Sequence, residues 1–489
     1  MIPLHGAFRA EIERMLGAEA AAFFDALEES PALALRLNPA RANAEAVAAE
    51  FFEERVPWEP NGRYLLPGAR PGASIAHAAG AFYLQEASAM VSVNALEPRP
   101  GERILDLCAA PGGKSTQIAA AMAGEGLLVA NEPEPARARI LASNLERMGA
   151  RNAVVVNAYP DALAARWTAY FDALLCDAPC SGEGMFRREI EARAQWNPGA
   201  PEGCARRQAE ILDSAAELIR PGGRLVYSTC TFNPHENEET VRAFLLRHPD
   251  FVPEDFHLPG VGDSREGMIR VWPQRARGDG HFAARLRKRG GAAESGAEPA
   301  DRIARGERCA LEPRGRSGAE VRAGFEKRGH ALRANVERRR DGRALSSSES
   351  AARSLVARLE DEICALPDAL KRRFLMLGDA LYALPEACPP LDGLKVVQPG
   401  VRLLRAGRSH IEPEHALAMA LEPAQALRAH ELSDEEALRY LRGEVLNCPE
   451  NLRGWVLMRW RGLPLGWAKA VPPQFKNHLP KGLRAASRR

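Results

Sequence analysis

The stretch Ile104-Leu105-Asp106-Leu107-Cys108-Ala109-Ala110-Pro111-Gly112-Gly113-Lys114-Ser115 decides the fold of the central part of the chain. Its first four residues predict a buried strand, and residues 114–122 predict the helix that follows. The small residues between them let backbone amides approach a ligand closely, and the N-terminus of the helix favours a negative group. The stretch therefore predicts a ligand-binding loop between a strand and a helix.

The spacing within this loop excludes two common nucleotide-binding motifs. A P-loop requires Gly five residues before its Gly-Lys-Ser, where this chain has Cys108, and the dinucleotide fingerprint Gly-x-Gly-x-x-Gly does not occur. The next predicted strand, 127–130, leads to Glu132, and a carboxylate at that point typically accepts hydrogen bonds from ribose hydroxyls. A solvated acid at the end of a strand gives the same pattern. Because no triphosphate site is needed, S-adenosylmethionine fits the predicted pocket better than ATP or NAD.

Strand and helix patterns alternate from residue 82 to residue 288. Apolar runs predict further strands at 154–156, 172–176 and 225–227, and helical spacing predicts helices at 135–148 and 206–220. This alternation is typical of a mostly parallel sheet with helices on both faces, an α/β fold. We expect a small N-terminal accessory domain at 1–81, a basic flexible linker at 289–350 and a compact α+β domain at 351–489.

The composition restricts the class of protein. A chain of 489 residues is too long for one hydrophobic core, and no apolar stretch is long enough to span a bilayer. The N-terminus lacks the layout of a signal peptide, and the nine cysteines have neither repeating spacing nor a Cys-x-x-Cys pair. We therefore predict reduced thiols in the cytoplasm, with no membrane partner, no disulfide framework and no metal.

Two cysteines each follow a predicted strand of the central sheet. Cys180 lies in Asp177-Ala178-Pro179-Cys180-Ser181-Gly182, and Cys230 lies in Tyr227-Ser228-Thr229-Cys230-Thr231. The carboxyl ends of parallel strands border the ligand crevice, and a thiolate there can attack an electron-poor carbon. Two buried structural cysteines are the alternative interpretation.

Several motifs together resemble the Nol–Nop–Sun family of RNA cytosine-5 methyltransferases. They are the 108–114 loop, the 177–182 segment, and Ser228-Thr229-Cys230-Thr231 with Asn233-Pro234 and Glu236-Asn237-Glu238. The resemblance covers roughly residues 30–288 and implies a Rossmann-like sheet that binds S-adenosylmethionine. The C-terminal run around Gly454-Trp455-Val456-Leu457 is similar to a subgroup that acts on small-subunit ribosomal RNA through a PUA-like RNA-binding domain.

The resemblance also implies a role for each matching residue. Cys230 would be the nucleophile that adds to C6 of cytosine, and Cys180 would help to remove the C5 proton and to expel Cys230. Asp177 would bind the cytosine edge or the cofactor, and Glu132 would bind the ribose. The methionine part of the cofactor would be held by Cys108, Ala109, Ala110, Pro111, Gly112, Gly113 and Lys114. The family often has an acid after the third strand, where this chain offers Asn157 or Asp161.

The implied partner is RNA whose target base is single-stranded or flipped out. We expect 16S ribosomal RNA or the small ribosomal subunit, with transfer RNA as an alternative substrate. A non-catalytic ribosome assembly factor is the alternative of another class, and DNA is not expected. In the C-terminal domain, Trp455, Trp460 and Trp467 alternate with cationic residues, a pattern typical either of base stacking or of a tryptophan core.

Overall fold

The structure is a computed structural model that describes residues 2–290 and 342–484. Most of the predicted linker at 289–350 falls on residues 291–341, which lie outside the described residues, so the linker stays a prediction. The C-terminal residues 485–489 lie outside them as well.

Over residues 6–84, the N-terminal region forms four α-helices and a four-stranded antiparallel sheet. Its elements are α1 (Gly6–Leu16), α2 (Ala20–Glu28), β1 (Ala34–Leu37), α3 (Ala44–Ala48), β2 (Phe52–Arg55), β3 (Gly62–Leu65), α4 (Ile75–Ala78) and β4 (Phe82–Leu84). The strand order is β2-β3-β1-β4, so β4 belongs to this sheet through the pair Leu37–Phe82. The predicted boundary at residue 81 is therefore displaced, because the apolar run 82–84 pairs with β1 rather than opening the central domain.

The central domain contains a nine-stranded sheet. Its elements before the second thiol are α5 (Val91–Leu96), β5 (Arg103–Asp106), α6 (Gly113–Ala121), β6 (Leu127–Asn131), α7 (Pro135–Arg147), β7 (Ala153–Val156), α8 (Pro160–Ala164), β8 (Phe171–Asp177), α9 (Ile190–Gln195), α10 (Ala200–Leu218) and β9 (Ile219–Thr229). After it come α11 (Glu238–Arg247), β10 (Phe251–Pro253), β11 (His257–Leu258), β12 (Gly262–Asp263), β13 (Met268–Val271) and β14 (His281–Lys288).

The strands β7, β6, β5, β8 and β9 lie side by side and are parallel, as the sequence predicts. Every residue of β6 and β7 is buried, because helices cover both faces of the sheet. Strand β14 runs antiparallel to β9, so His281 at its start lies at the edge where the parallel strands end. The loops that follow β5, β6, β8 and β9 all meet at that edge.

The C-terminal region extends over two further sheets and also reaches the central one. Its elements are α12 (Gly342–Glu362), β15 (Arg373–Leu377), β16 (Ala380–Leu384), β17 (Val396–Gln398), β18 (Val401–Ala406), β19 (Ile411–Pro413), α13 (His415–Ala420), β20 (Ala429–Leu432), α14 (Asp434–Leu441), β21 (Leu446–Asn447), β22 (Gly454–Trp460), β23 (Leu463–Val471) and β24 (Gln474–Asn477). The two sheets have the orders β15-β16-β18-β19 and β20-β22-β23-β24-β21.

Strand β17 departs from the prediction of one compact domain at 351–489. It pairs antiparallel with β7, through Val396 and Val156, and forms an edge strand of the central sheet. The apolar run at 394–397 predicted a strand but carried no information about its partner, because strand pairing depends on the tertiary fold.

Candidate active site

The two thiols of the site lie in contact at the ends of β8 and β9. The Sγ atoms of Cys180 and Cys230 are 3.2 Å apart. The parallel pairing of the strands places Asp177 beside Ser228, so both thiol loops leave the sheet at the same level. The structure therefore brings together the two cysteines that are 50 residues apart in the sequence.

A buried carboxylate fastens the loop that carries Cys180. Glu236 accepts hydrogen bonds from the backbone N–H of Ser181 (2.9 Å), from the Ser181 hydroxyl and from the Gln208 amide (3.0 Å). The Ser181 hydroxyl also lies 2.9 Å from Oγ1 of Thr231, next to Cys230. Glu236 is fully buried, and burial raises its pKa. These bonds hold the two thiol loops in a fixed relation.

A second contact joins the same two loops. The backbone N–H of Gly184 donates to the carbonyl of Cys230 at 2.8 Å. A Cβ atom at position 184 would lie 2.7 Å from that oxygen, which is too close for any residue other than glycine. Behind this contact, Phe232 packs against Phe23 of α2, so the N-terminal helices support the Cys230 loop directly.

The contact between the two thiols affects the ionisation of Cys180. Contact with Cys230, together with burial, raises the pKa of Cys180 well above that of an ordinary thiol. Two thiols at this distance lose one proton before the other, because the second negative charge would face the first. The pair is therefore suited to hold one thiolate and one protonated thiol.

Asp177 is the centre of a charged network beside the thiols. Its carboxylate accepts from Nζ of Lys114 and from Oγ of Ser228, each at 2.8 Å, and lies 3.7 Å from Nε2 of His281. Burial is the largest influence on Asp177 and would raise its pKa, but the charge of Lys114 and the hydrogen bonds from Lys114 and Ser228 act together with His281 to lower the pKa. Lys114 is 13% exposed, so it is not the surface lysine that a helix N-terminus commonly carries.

His281 completes this network from β14. Its Nε2 forms a hydrogen bond of 2.9 Å with the hydroxyl of Ser92, and the ring is buried. Burial and the nearby Lys114 lower its pKa to about 3, so the ring is neutral at physiological pH. No sequence signal points to His281, because it comes from an antiparallel strand far from the motifs.

The 108–114 loop runs from β5 to α6 and is supported by α7. Arg137 donates to the carbonyl of Ala110 at 3.0 Å, and Asn144 donates to that of Pro111 at 2.9 Å. Gly112 has φ 114°, a backbone conformation that side chains disfavour. The first N–H groups of α6 have no partner within the helix, and Gly112 offers no side-chain cap for them.

Asp106 is the last residue of β5, which leads into this loop, and it was not among the predicted site residues. One carboxylate oxygen accepts from Oγ of Ser115 at 2.6 Å, and the other, Oδ1, is buried with no hydrogen-bond partner among the described residues. Burial raises its pKa to about 7. Such an oxygen is suited to accept from a cationic donor of a ligand.

Glu132 lies at the end of β6, as predicted, and is 3% exposed. Its carboxylate accepts from the backbone N–H of Glu134 at 2.8 Å and lies 3.3 Å from Arg137.

Of the two candidates after the third strand, Asp161 is exposed, whereas Asn157 donates from its amide to the carbonyls of Glu132 and Pro133, each at 2.7 Å. The Asn157 amide is therefore engaged by the backbone and is not free to donate to an adenine ring.

The site thus has two halves that meet at the Lys114–Asp177 pair. We call Asp177, Cys180, Cys230 and Glu236 the thiol half. The loop half consists of the 108–114 loop, Asp106, Glu132 and Asn157. All predicted site residues lie in one of these halves; the roles of Asp106, Glu236 and His281 were missed, although Glu236 stood within one of the quoted motifs.

The three C-terminal tryptophans belong to the hydrophobic core. Trp455, Trp460 and Trp467 are 7%, 5% and 2% exposed. Their indole N–H groups donate to the carbonyl of Ile411, to Asp434 and to the carbonyl of Glu414. The base-stacking interpretation is therefore wrong for these rings, and the tryptophan-core alternative is correct.

Among the helices in residues 2–290 and 342–484, none combines the length and apolar character that a membrane span requires.

Four family models match consecutive parts of the chain. Their descriptions are the N-terminal domain of 16S rRNA methyltransferase RsmF (4–87), 16S rRNA methyltransferase RsmB/F (93–287), the first C-terminal domain of the RsmF rRNA methyltransferase (360–421) and the methyltransferase RsmF PUA domain (427–485). The predicted Rossmann-like methyltransferase fold with a PUA-like C-terminal domain is confirmed.

The chain is also similar to curated proteins and to a solved structure. It is 33% identical to ribosomal RNA small subunit methyltransferase F of Klebsiella pneumoniae (strain 342), over 88% of this chain and 84% of that protein. It is 32% identical to the protein of the same name from Cronobacter sakazakii, over 92% and 89%. A methyltransferase homologue protein from Pyrococcus horikoshii is 28% identical, with a TM-score of 0.50, over 59% of this chain and 96% of that one. The chain belongs to the ribosomal RNA small subunit methyltransferase F family.

Proposed function

We propose that this RNA methyltransferase transfers a methyl group from S-adenosylmethionine to C5 of a cytosine in 16S ribosomal RNA, with Cys230 as the covalent nucleophile. The observation that carries the proposal is the contact of two thiols beside the Lys114–Asp177 pair. The cytoplasmic location predicted from the cysteines is part of the same proposal.

The residues of the loop half fit S-adenosylmethionine. The unpartnered Oδ1 of Asp106 would accept from the ammonium of the methionine part, and the free N–H groups at the start of α6 would donate to its carboxylate. Glu132 would accept from the ribose hydroxyls. When bound, the cofactor supplies an electrophilic methyl group.

The thiol half would provide the covalent chemistry. C5 of cytosine is a poor nucleophile until a group adds at C6, and a thiolate at Cys230 would make that addition. The ammonium of Lys114, which pairs with Asp177 beside the thiols, would offset the negative charge of a thiolate at Cys230. After methyl transfer, loss of the C5 proton restores the ring and releases Cys230. Cys180, 3.2 Å from the departing sulfur, would assist this step.

The test compares Cys230→Ala with Cys180→Ala in the full chain. We expect Cys230→Ala to lower the rate of 5-methylcytosine formation on the order of 10⁶-fold and to form no covalent RNA adduct, as for loss of other enzymic nucleophiles. Cys180→Ala should form an adduct with RNA that survives denaturing electrophoresis. The reverse pattern, with the adduct in Cys230→Ala, would reassign the nucleophile to Cys180.

The substrate is tested by bisulfite sequencing of RNA from cells with and without the gene. Loss of 5-methylcytosine from small-subunit ribosomal RNA supports the proposal. Loss confined to transfer RNA would keep the chemistry and replace the substrate, and no change would favour the assembly factor.

One feature of the C-terminal domain supports contact with RNA. Lys469 of β23 and Lys476 of β24 lie directly opposite each other. Like charges in this position destabilise a sheet on their own. A phosphate group of the RNA backbone would offset that repulsion, and RNA binding would then weaken as the salt concentration rises.

A further inference from the structure

The C-terminal region contributes a strand at the loop half of the active site. The backbone N–H of Asn157 donates to the carbonyl of Lys395 at 2.8 Å, immediately beside the pairing of β7 with β17. Without β17, β7 would be the edge strand and this N–H would face solvent. The conformation of Asn157 is therefore fixed by a residue of another region of the chain.

Asn157 transmits this constraint to the residue proposed to hold the ribose. Its amide donates to the carbonyls of Glu132 and Pro133, both at 2.7 Å. The Glu132 carboxylate is held in turn by the N–H of Glu134. A continuous series of hydrogen bonds thus leads from Lys395 through Asn157 to the backbone of Glu132.

The segment before β17 is itself anchored on the central domain. Arg166 donates to the carbonyl of Asp392 at 2.8 Å, and the indole of Trp167 donates to that of Pro390 at 3.3 Å. The hydroxyl of Tyr170 donates to the carbonyl of Ala387. Three side chains from the α8–β8 connection therefore hold the segment that leads to Lys395.

We propose that residues 387–398, although part of the C-terminal region, form a structural wall of the cofactor pocket, and that Asn157 is the positioning residue through which they set Glu132. This inference rests on the proposed binding of S-adenosylmethionine at Glu132. It assigns the C-terminal region a role in cofactor affinity in addition to contact with RNA.

The test measures S-adenosylmethionine binding to the full chain by calorimetry, without RNA. Asn157→Ala should raise the Kd roughly fivefold to tenfold, because it removes two hydrogen bonds of about fivefold each and part of that loss lowers folding stability rather than cofactor affinity. The KM for RNA and the kcat at saturating cofactor should stay unchanged. The matched control is Asn152→Ala, at the other end of β7, where the amide donates to the carbonyl of Glu125 at 2.8 Å. This control should lose a similar amount of folding stability but keep the wild-type Kd for S-adenosylmethionine.

A second pair of variants applies if Asn157→Ala does not fold. Arg166→Ala removes an anchor of the 387–398 segment, whereas Arg151→Ala removes a contact with the same region at Ala420, away from the pocket. Arg166→Ala should weaken cofactor binding about twofold to fivefold, and Arg151→Ala should not. Equal Kd values within each pair would overturn the inference. Absence of cofactor binding in the wild-type protein would instead overturn the proposed function.

Discussion

The thiol half and the loop half of the site differ in where their supporting residues come from. Cys180 and Cys230 are held by Ser181, Gly184 and Glu236, which are close to the thiols in the sequence. Asn157 in the loop half instead depends on Lys395, which belongs to another region of the chain. The thiol half is therefore built by the central domain with its N-terminal support, whereas the loop half needs the C-terminal region.

The comparison indicates how each half would respond to change. Substitutions in the thiol half should lower the rate of the chemical step and leave cofactor affinity unchanged. Substitutions in the loop half should lower cofactor affinity and leave the rate of the chemical step unchanged at saturating cofactor. The Lys114–Asp177 pair joins the halves, so it is the position where this separation should fail.

Among variants that keep both thiols, the largest effect is expected for Lys114→Met. The change removes the ammonium that pairs with Asp177 and favours an anion at the thiols. We expect the rate to fall about 100-fold, the magnitude of losing one electrostatic contact in an active site. Without the cation, a thiolate forms only at higher pH. The acidic limb of the pH–rate profile should therefore shift to higher pH.

The control for Lys114→Met is Lys288→Met, at the other end of the sheet. Lys288 donates to the carbonyls of Ala216 and Ile219 and has no contact with the thiols. Its profile should match that of the wild-type protein. An unchanged pH profile in Lys114→Met would show that the ammonium does not act on the thiols.

Much of the thiol half could be predicted because its geometry follows from a rule of parallel sheets. Two segments that follow neighbouring parallel strands must meet at one edge, so Cys180 and Cys230 were expected in the same crevice. The strand, loop and helix around Gly112 were predicted for the same reason. His281 could not be predicted, since it enters from an antiparallel strand without a motif.

The errors arose where a local pattern has two tertiary outcomes. Trp455, Trp460 and Trp467 alternate with cations because a strand directs successive side chains to opposite faces. That alternation is the same whether the tryptophans face RNA or the core. Only the elements that cover the rings decide it, such as β19 at Trp455 and α14 at Trp460. Likewise, the run at 394–397 predicted a strand without indicating that its partner is β7.

A smaller effect, confined to the thiol half, is expected for Glu236→Gln. Three donors converge on this carboxylate, and an amide offers only one acceptor oxygen, so the loop of Cys180 should loosen. We expect release of the methylated product to slow about tenfold, with an unchanged Kd for S-adenosylmethionine. Pre-steady-state quenched-flow measurement of adduct decay checks the first expectation, and calorimetry checks the second.

Glu239→Gln is the matched control for this change, because Glu239 lies in the same segment but is exposed and pairs only with His235 among the described residues. It should behave as wild type. A cofactor Kd that rises in Glu236→Gln would show that the two halves are not separable in this way.

The smallest effect concerns the pH dependence of cofactor binding in the loop half. Burial raises the pKa of Asp106 to about 7, so below neutrality much of this carboxyl is protonated in the free protein. A cationic ammonium binds the ionised form, so binding must release a proton, and affinity should rise with pH until Asp106 is ionised. Between pH 5.5 and pH 6.5 the gain should approach, but not exceed, about tenfold. Calorimetry across this range should show the gain in the wild-type protein and a nearly flat, weaker affinity in Asp106→Asn. The same dependence of cofactor affinity on pH in both proteins would mean that another group accepts the hydrogen bond from the ammonium.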